Sequence, residues 1–157
     1  MIRLARPADR AAVEAIVREA YSVYLDRMDK LPAPMLDDYA TLIDEDAVSV
    51  LDEDAVSVLD EGGDIRAIIV LLPQPDHLLL DNIAVRPDSQ GTGLGHLLIA
   101  FGEAEARRLG FDEVRLYTHQ TMVENVTLYT RLGFVETGRG RENGYDRVFM
   151  TKRLAEM

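Results

Sequence analysis

The apolar positions of the chain follow two periods, and the switches between them mark out the elements. A short strand, "IRL", is followed by Pro7 and Asp9, which open a helix with an apolar stripe at Val13, Ile16, Val17, Ala20 and Tyr24. A weaker helical pattern covers Met35 to Ile43. Branched aliphatics then cluster in "AVSVL" at 55 to 59, "IRAIIVLL" at 65 to 72 and "HLLLDNIAV" at 77 to 85, the first two joined by the hairpin turn signal "DEGGD". The third run ends at Arg86-Pro87, because proline removes a ladder donor and biases its predecessor away from helix. Leu94, Leu97, Leu98 and Phe101 recur at i, i+3, i+4 and i+7, which predicts a helix buried along that stripe and closed by Gly110. "DEVRLYT" is a further strand, "QTMVENVTLYTRLGF" a helix capped by Gly133, and "FVETGRG" and "YDRVFMTKRL" a last strand pair. The order βααβββαβαββ predicts an α/β (α+β) fold with a mixed, mostly antiparallel sheet and helices on both faces. Its parallel pair flanks the helix after the glycines.

One stretch breaks the pattern. "DEDAVSVL" at 44 to 51 recurs letter for letter at 52 to 59. Two copies are too few for a solenoid, so this is a local tandem duplication. The second copy, beside the hairpin signal, is the expected strand; the first lengthens the preceding helix or loop. Neither copy has the Gly and Glu positions of an EF-hand loop, so the acidic residues read as solvated turns.

Length and charge narrow the possibilities. At 157 residues, 47% of them hydrophobic, the chain is expected to form one domain over 1–157. A net charge of −11 argues against nucleic acid and anionic membrane surfaces and favours a cationic small-molecule partner. With no cysteine, disulfides, thiolate metal sites and a cysteine nucleophile are excluded. No two histidines have metal-ligand spacing, so no metal is expected. The opening "MIRLARPADR" has no apolar targeting core and the longest apolar run is "AIIVLL", so a cytoplasmic protein is expected.

The chemistry is concentrated where "QGTGLG", at 90 to 95, joins a strand to a helix. Unpaired N–H groups and the positive end of the helix dipole converge there, which suits a phosphate. The nucleotide P-loop is excluded because Gly95 is followed by His96 and Leu97 rather than Lys-Ser/Thr; the dinucleotide fingerprint is excluded because the spacing is G-x-G-x-G.

This loop, through Gln90, Gly93 and Gly95, and "LYTRLGF" at 128 to 134 together resemble the GNAT superfamily of N-acetyltransferases, with its Q/R-x-x-G-x-G/A and L-Y-x-x-x-G-F motifs. The resemblance implies that acetyl-coenzyme A is the co-substrate. Gln90, Gly91, Thr92, Gly93, Leu94, Gly95 and His96 would then receive its pyrophosphate. Its pantetheine arm would lie along Ile83, Ala84 and Val85, where the family's strand bulges and splays from the strand at 113 to 118. A backbone N–H there would stabilise the thioester oxygen as it becomes an oxyanion. The resemblance also assigns Tyr129 as the acid that protonates the departing thiolate, and Asp81, on the face of Ile83, as the base that takes the amine proton through water. His77 and His119 are the alternative bases. Met122 stands where the family often has an asparagine that contacts pantetheine; Asn125, one helical turn from Tyr129, is the substitute.

The acceptor is expected to touch Tyr24 and Tyr145, with Tyr21 and Asp38 as further contacts. A small-molecule primary amine is expected, with a peptide N-terminus or lysine as the alternative acceptor. A catalytically weak coenzyme A sensor and a nucleotide-binding regulatory domain are the competing functions. Monomer and homodimer both remain open.

Overall fold

In a computed structural model of the chain, which describes residues 2–22, 43, 55–142 and 144–154, "AIIVLL" is covered on both sides. It belongs to β3 (Asp64–Pro73), where Ile69 and Leu71 enter one apolar cluster and Ile68 and Val70 the other. Alternate side chains of a strand point to opposite faces, so an unbroken aliphatic run requires cover on both.

Around it the elements run β1 (Ile2–Leu4), α1 (Arg10–Tyr21), β2 (Ala55–Glu61), β3, β4 (Leu78–Val85), α2 (Leu94–Arg108), β5 (Glu113–His119), α3 (Val123–Arg131), β6 (Val135–Glu142) and β7 (Tyr145–Arg153). The seven strands form one sheet in the order β1-β2-β3-β4-β5-β7-β6. Every neighbouring pair is antiparallel except β4 and β5. The expected α/β fold, with helices on both faces and a parallel central pair, is the fold observed.

Helix α1 begins after a 3-10 turn at Pro7–Asp9, where the Asp9 carboxylate accepts from the Arg6 backbone N–H at 2.7 Å and from Arg3 Nη1 at 2.7 Å. Val13, Ile16 and Val17 are buried as the periodicity requires, and Tyr21 joins them. Tyr24, Asp38 and the helix expected at 35 to 43 lie outside the described residues, apart from Ile43, which packs into the α1 cluster. The first repeat copy also lies outside them, while the second supplies β2 from Ala55 onward.

Helix α2 corrects one expectation. Leu94 and Leu98 are buried and Phe101 partly so, but Leu97 is 55% exposed. The buried stripe runs through Leu98, Ile99, Gly102 and Ala106. The face turned to β3 carries small residues: a Cβ at Gly102 would make ordinary contact, at 3.6 Å, with side-chain carbons of both Ile69 and Leu71. Counting only large apolar residues misses it.

Strand β4 changes character halfway along. Leu78 and Leu80 pack in the α2 cluster, whereas Ala84 packs in the α1 cluster. Pairing with β3 passes from Leu71↔Leu80 to Val70↔Asn82 and skips Asp81, which is therefore the extra residue of a β-bulge. One added residue reverses the alternation. Pairing with β5 is confined to Leu78↔Val114, Leu79↔Arg115 and Leu80↔Leu116, so beyond the bulge the parallel strands separate.

Candidate active site

A cavity of about 720 Å³ opens where β4 and β5 part. Its walls come from four places: Ala20 and Tyr21 at the end of α1, Ile83 to Val85 of β4, the segment Ser89 to His96 without Thr92, and Glu124, Asn125, Leu128 and Tyr129 of α3. That size suits a small-molecule site. Of the residues assigned from sequence, Ile83, Ala84, Val85, Gln90, Gly91, Gly93, Leu94, Gly95, His96, Asn125 and Tyr129 are brought together here.

The glycine loop has the geometry its letters imply. Gly91 and Gly93 take φ values of 79° and 88°, a region that side chains with a Cβ rarely adopt, and Gly93 is the N-cap of α2. The loop is held from below. Arg66 Nη1 donates to Ser89 Oγ at 3.0 Å, Thr92 Oγ1 donates to the Ser89 carbonyl at 2.5 Å, and Gln90 Nε2 donates to the Val85 carbonyl at 3.3 Å. Arg86 bridges Asp64 at 2.7 Å and Asp88 at 2.5 Å, tying the loop to the β2–β3 turn. Its hydrogen bond holds the Asp88 carboxyl below the usual carboxylate range. The Thr92 hydroxyl turns back into the loop, and Thr92 is the residue of this segment that does not line the cavity.

Tyr129 is buried in the α2 cluster, edge-on to Phe134 at 5.8 Å between ring centroids, and borders the cavity. Gly133, at φ 99°, ends α3, and Lys152 Nζ donates to the Leu132 carbonyl at 2.8 Å. The "LYTRLGF" sequence thus sets the pitch and end of the helix that presents the phenol. Asn125 lies on the same wall, one turn earlier. Met122 is buried, its sulfur 3.6 Å from the Thr118 hydroxyl.

Asp81 is corrected in position. Strand alternation places it with Ile83, but the bulge interrupts that alternation. Its Oδ1 accepts from the Tyr117 hydroxyl at 2.7 Å, and it is not among the residues lining the cavity. Tyr145 is likewise not in the wall. It is buried at the start of β7, edge-on to His119 at 6.3 Å, with the Arg147 guanidinium 5.8 Å from its ring centre. His119 Nδ1 shares a hydrogen bond with Thr121 Oγ1 at 2.8 Å, while His77 sits on the β3–β4 turn beside Asp76 at 2.7 Å. Neither histidine reaches the cavity wall.

Tyr21, expected only as an acceptor contact, borders the cavity and donates to the Oδ1 of buried Asn82 at 2.5 Å. Ser89, Glu124 and Leu128 were not singled out from sequence. The first is marked only by its place between Pro87 and the glycines, and the others by the helical spacing that puts them near Asn125 and Tyr129. Tyr117 and Arg147 were also missed, although alternation along β5 and β7 puts them on one side of the sheet. Among the described residues no three His, Cys, Asp or Glu side chains group as metal ligands, and no helix is long and apolar enough to cross a membrane.

Comparison with known proteins bears on this geometry. A mycothiol acetyltransferase of Geodermatophilus obscurus is 46% identical over 52 residues, which are 33% of this chain and only 17% of that protein. The PaiA N-acetyltransferase of Thermoplasma acidophilum, solved in complex with coenzyme A, superposes with a TM-score of 0.80 at 16% identity over 98% of both chains. The ribosomal-protein-S18-alanine N-acetyltransferase of Escherichia coli superposes with a TM-score of 0.75 at 21% identity, over 100% of this chain and 95% of its own. At such identities the two structures establish the shared fold. The model of the acetyltransferase (GNAT) family matches residues 12–134, which span the cavity and every element that walls it. The chain therefore belongs to the acetyltransferase (GNAT) family.

Proposed function

We propose that this chain acetylates a primary amine on a small molecule by direct attack of the amine on the thioester. One observation carries the proposal: a single cavity joins the glycine loop, the half of β4 that has no β5 partner and Tyr129. Acetyl-coenzyme A supplies an activated acetyl group whose leaving atom is a thiolate. Residues 90–95 and the start of α2 offer backbone N–H groups and the positive helix end to its pyrophosphate. Ile83 to Val85 lie beyond the last β4–β5 pair, so the N–H groups on that side are available to the pantetheine arm, and one of them can meet the developing oxyanion. The ammonium first loses a proton to solvent; as the neutral amine nitrogen then bonds to the carbonyl carbon and the C–S bond breaks, the Tyr129 hydroxyl gives its proton to sulfur. Asp81, which stands outside the cavity wall beside the last β4–β5 pair, takes the proton lost by the amine through intervening water. The two transfers balance, and solvent returns each residue to its starting state.

The amine class rests on charge. A net charge of −11 favours a cationic acceptor at encounter, which a polyamine or amino sugar satisfies. An acceptor on a peptide N-terminus is the second reading, favoured by the likeness to the S18-alanine enzyme. Release of the coenzyme A thiol can be followed directly with a thiol reagent, because the chain contributes no cysteine. A screen of polyamines, amino sugars, amino acids and short peptides should find turnover with a small amine. Turnover with peptides alone would replace the acceptor class. Tight acetyl-coenzyme A binding without turnover of any amine would favour a coenzyme A sensor.

A further inference from the structure

We infer that Tyr117 is the positioning residue for Asp81, and that Arg147 holds Tyr117 in that task. The inference rests on the reading of Asp81 as the base. Asp81 is the bulged residue of β4, so no β3 partner in the ladder fixes it. On its other side β4 and β5 are no longer paired, the last pair being Leu80↔Leu116. The backbone therefore leaves the direction of this carboxylate loosely determined. A side chain supplies the missing constraint: Tyr117, one residue past that last pair, reaches across the opening gap and donates from its hydroxyl to Asp81 Oδ1 at 2.7 Å. With Oδ1 engaged, the plane of the carboxylate is set and its other oxygen has a defined direction.

Tyr117 is in turn held by β7. The Arg147 guanidinium carbon lies 4.0 Å from the centre of the Tyr117 ring, and Phe149 meets the same ring edge-on at 6.5 Å. Arg147 is only 7% exposed, and its Nη1 is paired with Glu142 on β6. A guanidinium withdrawn from water and stacked on a phenol fixes the ring and polarises its O–H toward the carboxylate. The chain Glu142, Arg147, Tyr117, Asp81 thus runs from the edge strand to the bulge. Each link is a side-chain contact rather than a ladder hydrogen bond.

A purely structural strap across the splayed strands would have the same geometry, and kinetics distinguish the two. With saturating acetyl-coenzyme A and the amine found by the screen, Tyr117→Phe should lower kcat/KM for the amine about 10- to 100-fold, as for a reacting group misplaced by a fraction of an ångström. The KM for acetyl-coenzyme A should not change. In the Asp81→Asn background, where the base is already absent, the same substitution should cost less than about 2-fold, the scatter of independent sites. Arg147→Met keeps the buried volume and removes the charge; its smaller loss should likewise vanish in Asp81→Asn, and it serves as the test should Tyr117→Phe melt below the assay temperature. An equal loss in both backgrounds would make Tyr117 a strap and overturn the inference. So would full activity of a folded Tyr117→Phe protein in which Asp81→Asn is impaired. Undiminished turnover by Asp81→Asn would instead overturn the base assignment, and the inference with it.

Discussion

The two halves of β4 present the same backbone to different partners. Leu78 to Leu80 are paired with β3 on one side and β5 on the other, and their side chains fill the core beneath α2. Ile83 to Val85 keep the β3 ladder, have no β5 partner, and face a cavity instead. Strand propensity hardly distinguishes the two, since both are aliphatic. What separates them is one inserted residue, Asp81, which shifts the register and sends the rest of the strand away from β5. The first half stabilises the fold. The second leaves backbone groups for a ligand, and so the same element serves stability at one end and binding at the other.

Substitutions beside the two halves, or in them, should therefore have separable effects. The largest is expected on the open side: Tyr129→Phe keeps the edge-to-face contact with Phe134 and removes only the hydroxyl, so acetyl-coenzyme A affinity should be unchanged while turnover falls by about 10²–10⁴. Full turnover with chemistry rate-limiting would reduce Tyr129 to a packing residue. On the closed side the expectation is reversed. Leu80→Ala, at a position 3% exposed, should cost about 2–5 kcal/mol in denaturant unfolding and leave acetyl-coenzyme A affinity of the folded fraction intact. A matching loss of affinity would show that the halves are coupled.

Gly93→Val sharpens the comparison at the loop. A Cβ there meets no atom within 4 Å, so the penalty comes from φ +88° and not from a clash. Strain of about 1–3 kcal/mol should appear as weaker acetyl-coenzyme A binding by isothermal titration, with Leu80→Ala as the contrasting control. The smallest effect belongs to a place far from either half. Arg3 donates to Asp9 and holds its carboxyl below the usual range, against an opposing effect of burial. Because the folded-state pKa is depressed, this stabilisation is present above the unfolded value of about 3.9 and is lost as pH falls through the folded value. The Tm difference between the native chain and Asp9→Asn should thus be steady near neutral pH and shrink below about pH 4. An unchanged difference down to pH 2 would remove Asp9 from the acid sensitivity of the fold.

Much of the site was legible in the letters because its parts are local. Gly91 and Gly93 sit in the loop at positive φ, and Gly133 ends α3 where the pattern requires. Tyr129 reaches the cavity because a helix of fixed pitch ends at that glycine. Two details depend on more than the local pattern: the Thr92 hydroxyl has its acceptor in the Ser89 carbonyl, and α2 presents Gly102 to β3 and leaves Leu97 exposed. Neither preference has a signature at short range.

The sequence by itself determined the order of the described elements, the aliphatic run of β3, the glycine loop before α2 and the family motifs, because each depends on residues a few positions apart. Only the tertiary structure decided where β4 bulges, that Asp81 answers to Tyr117 and not to the cavity wall, and that Arg147 stacks on that phenol. The two side-chain relations join residues 36 and 30 positions apart, across strands whose register is set by the whole sheet. A shift of one residue reverses every side chain after it, and no local pattern records which position absorbs the shift.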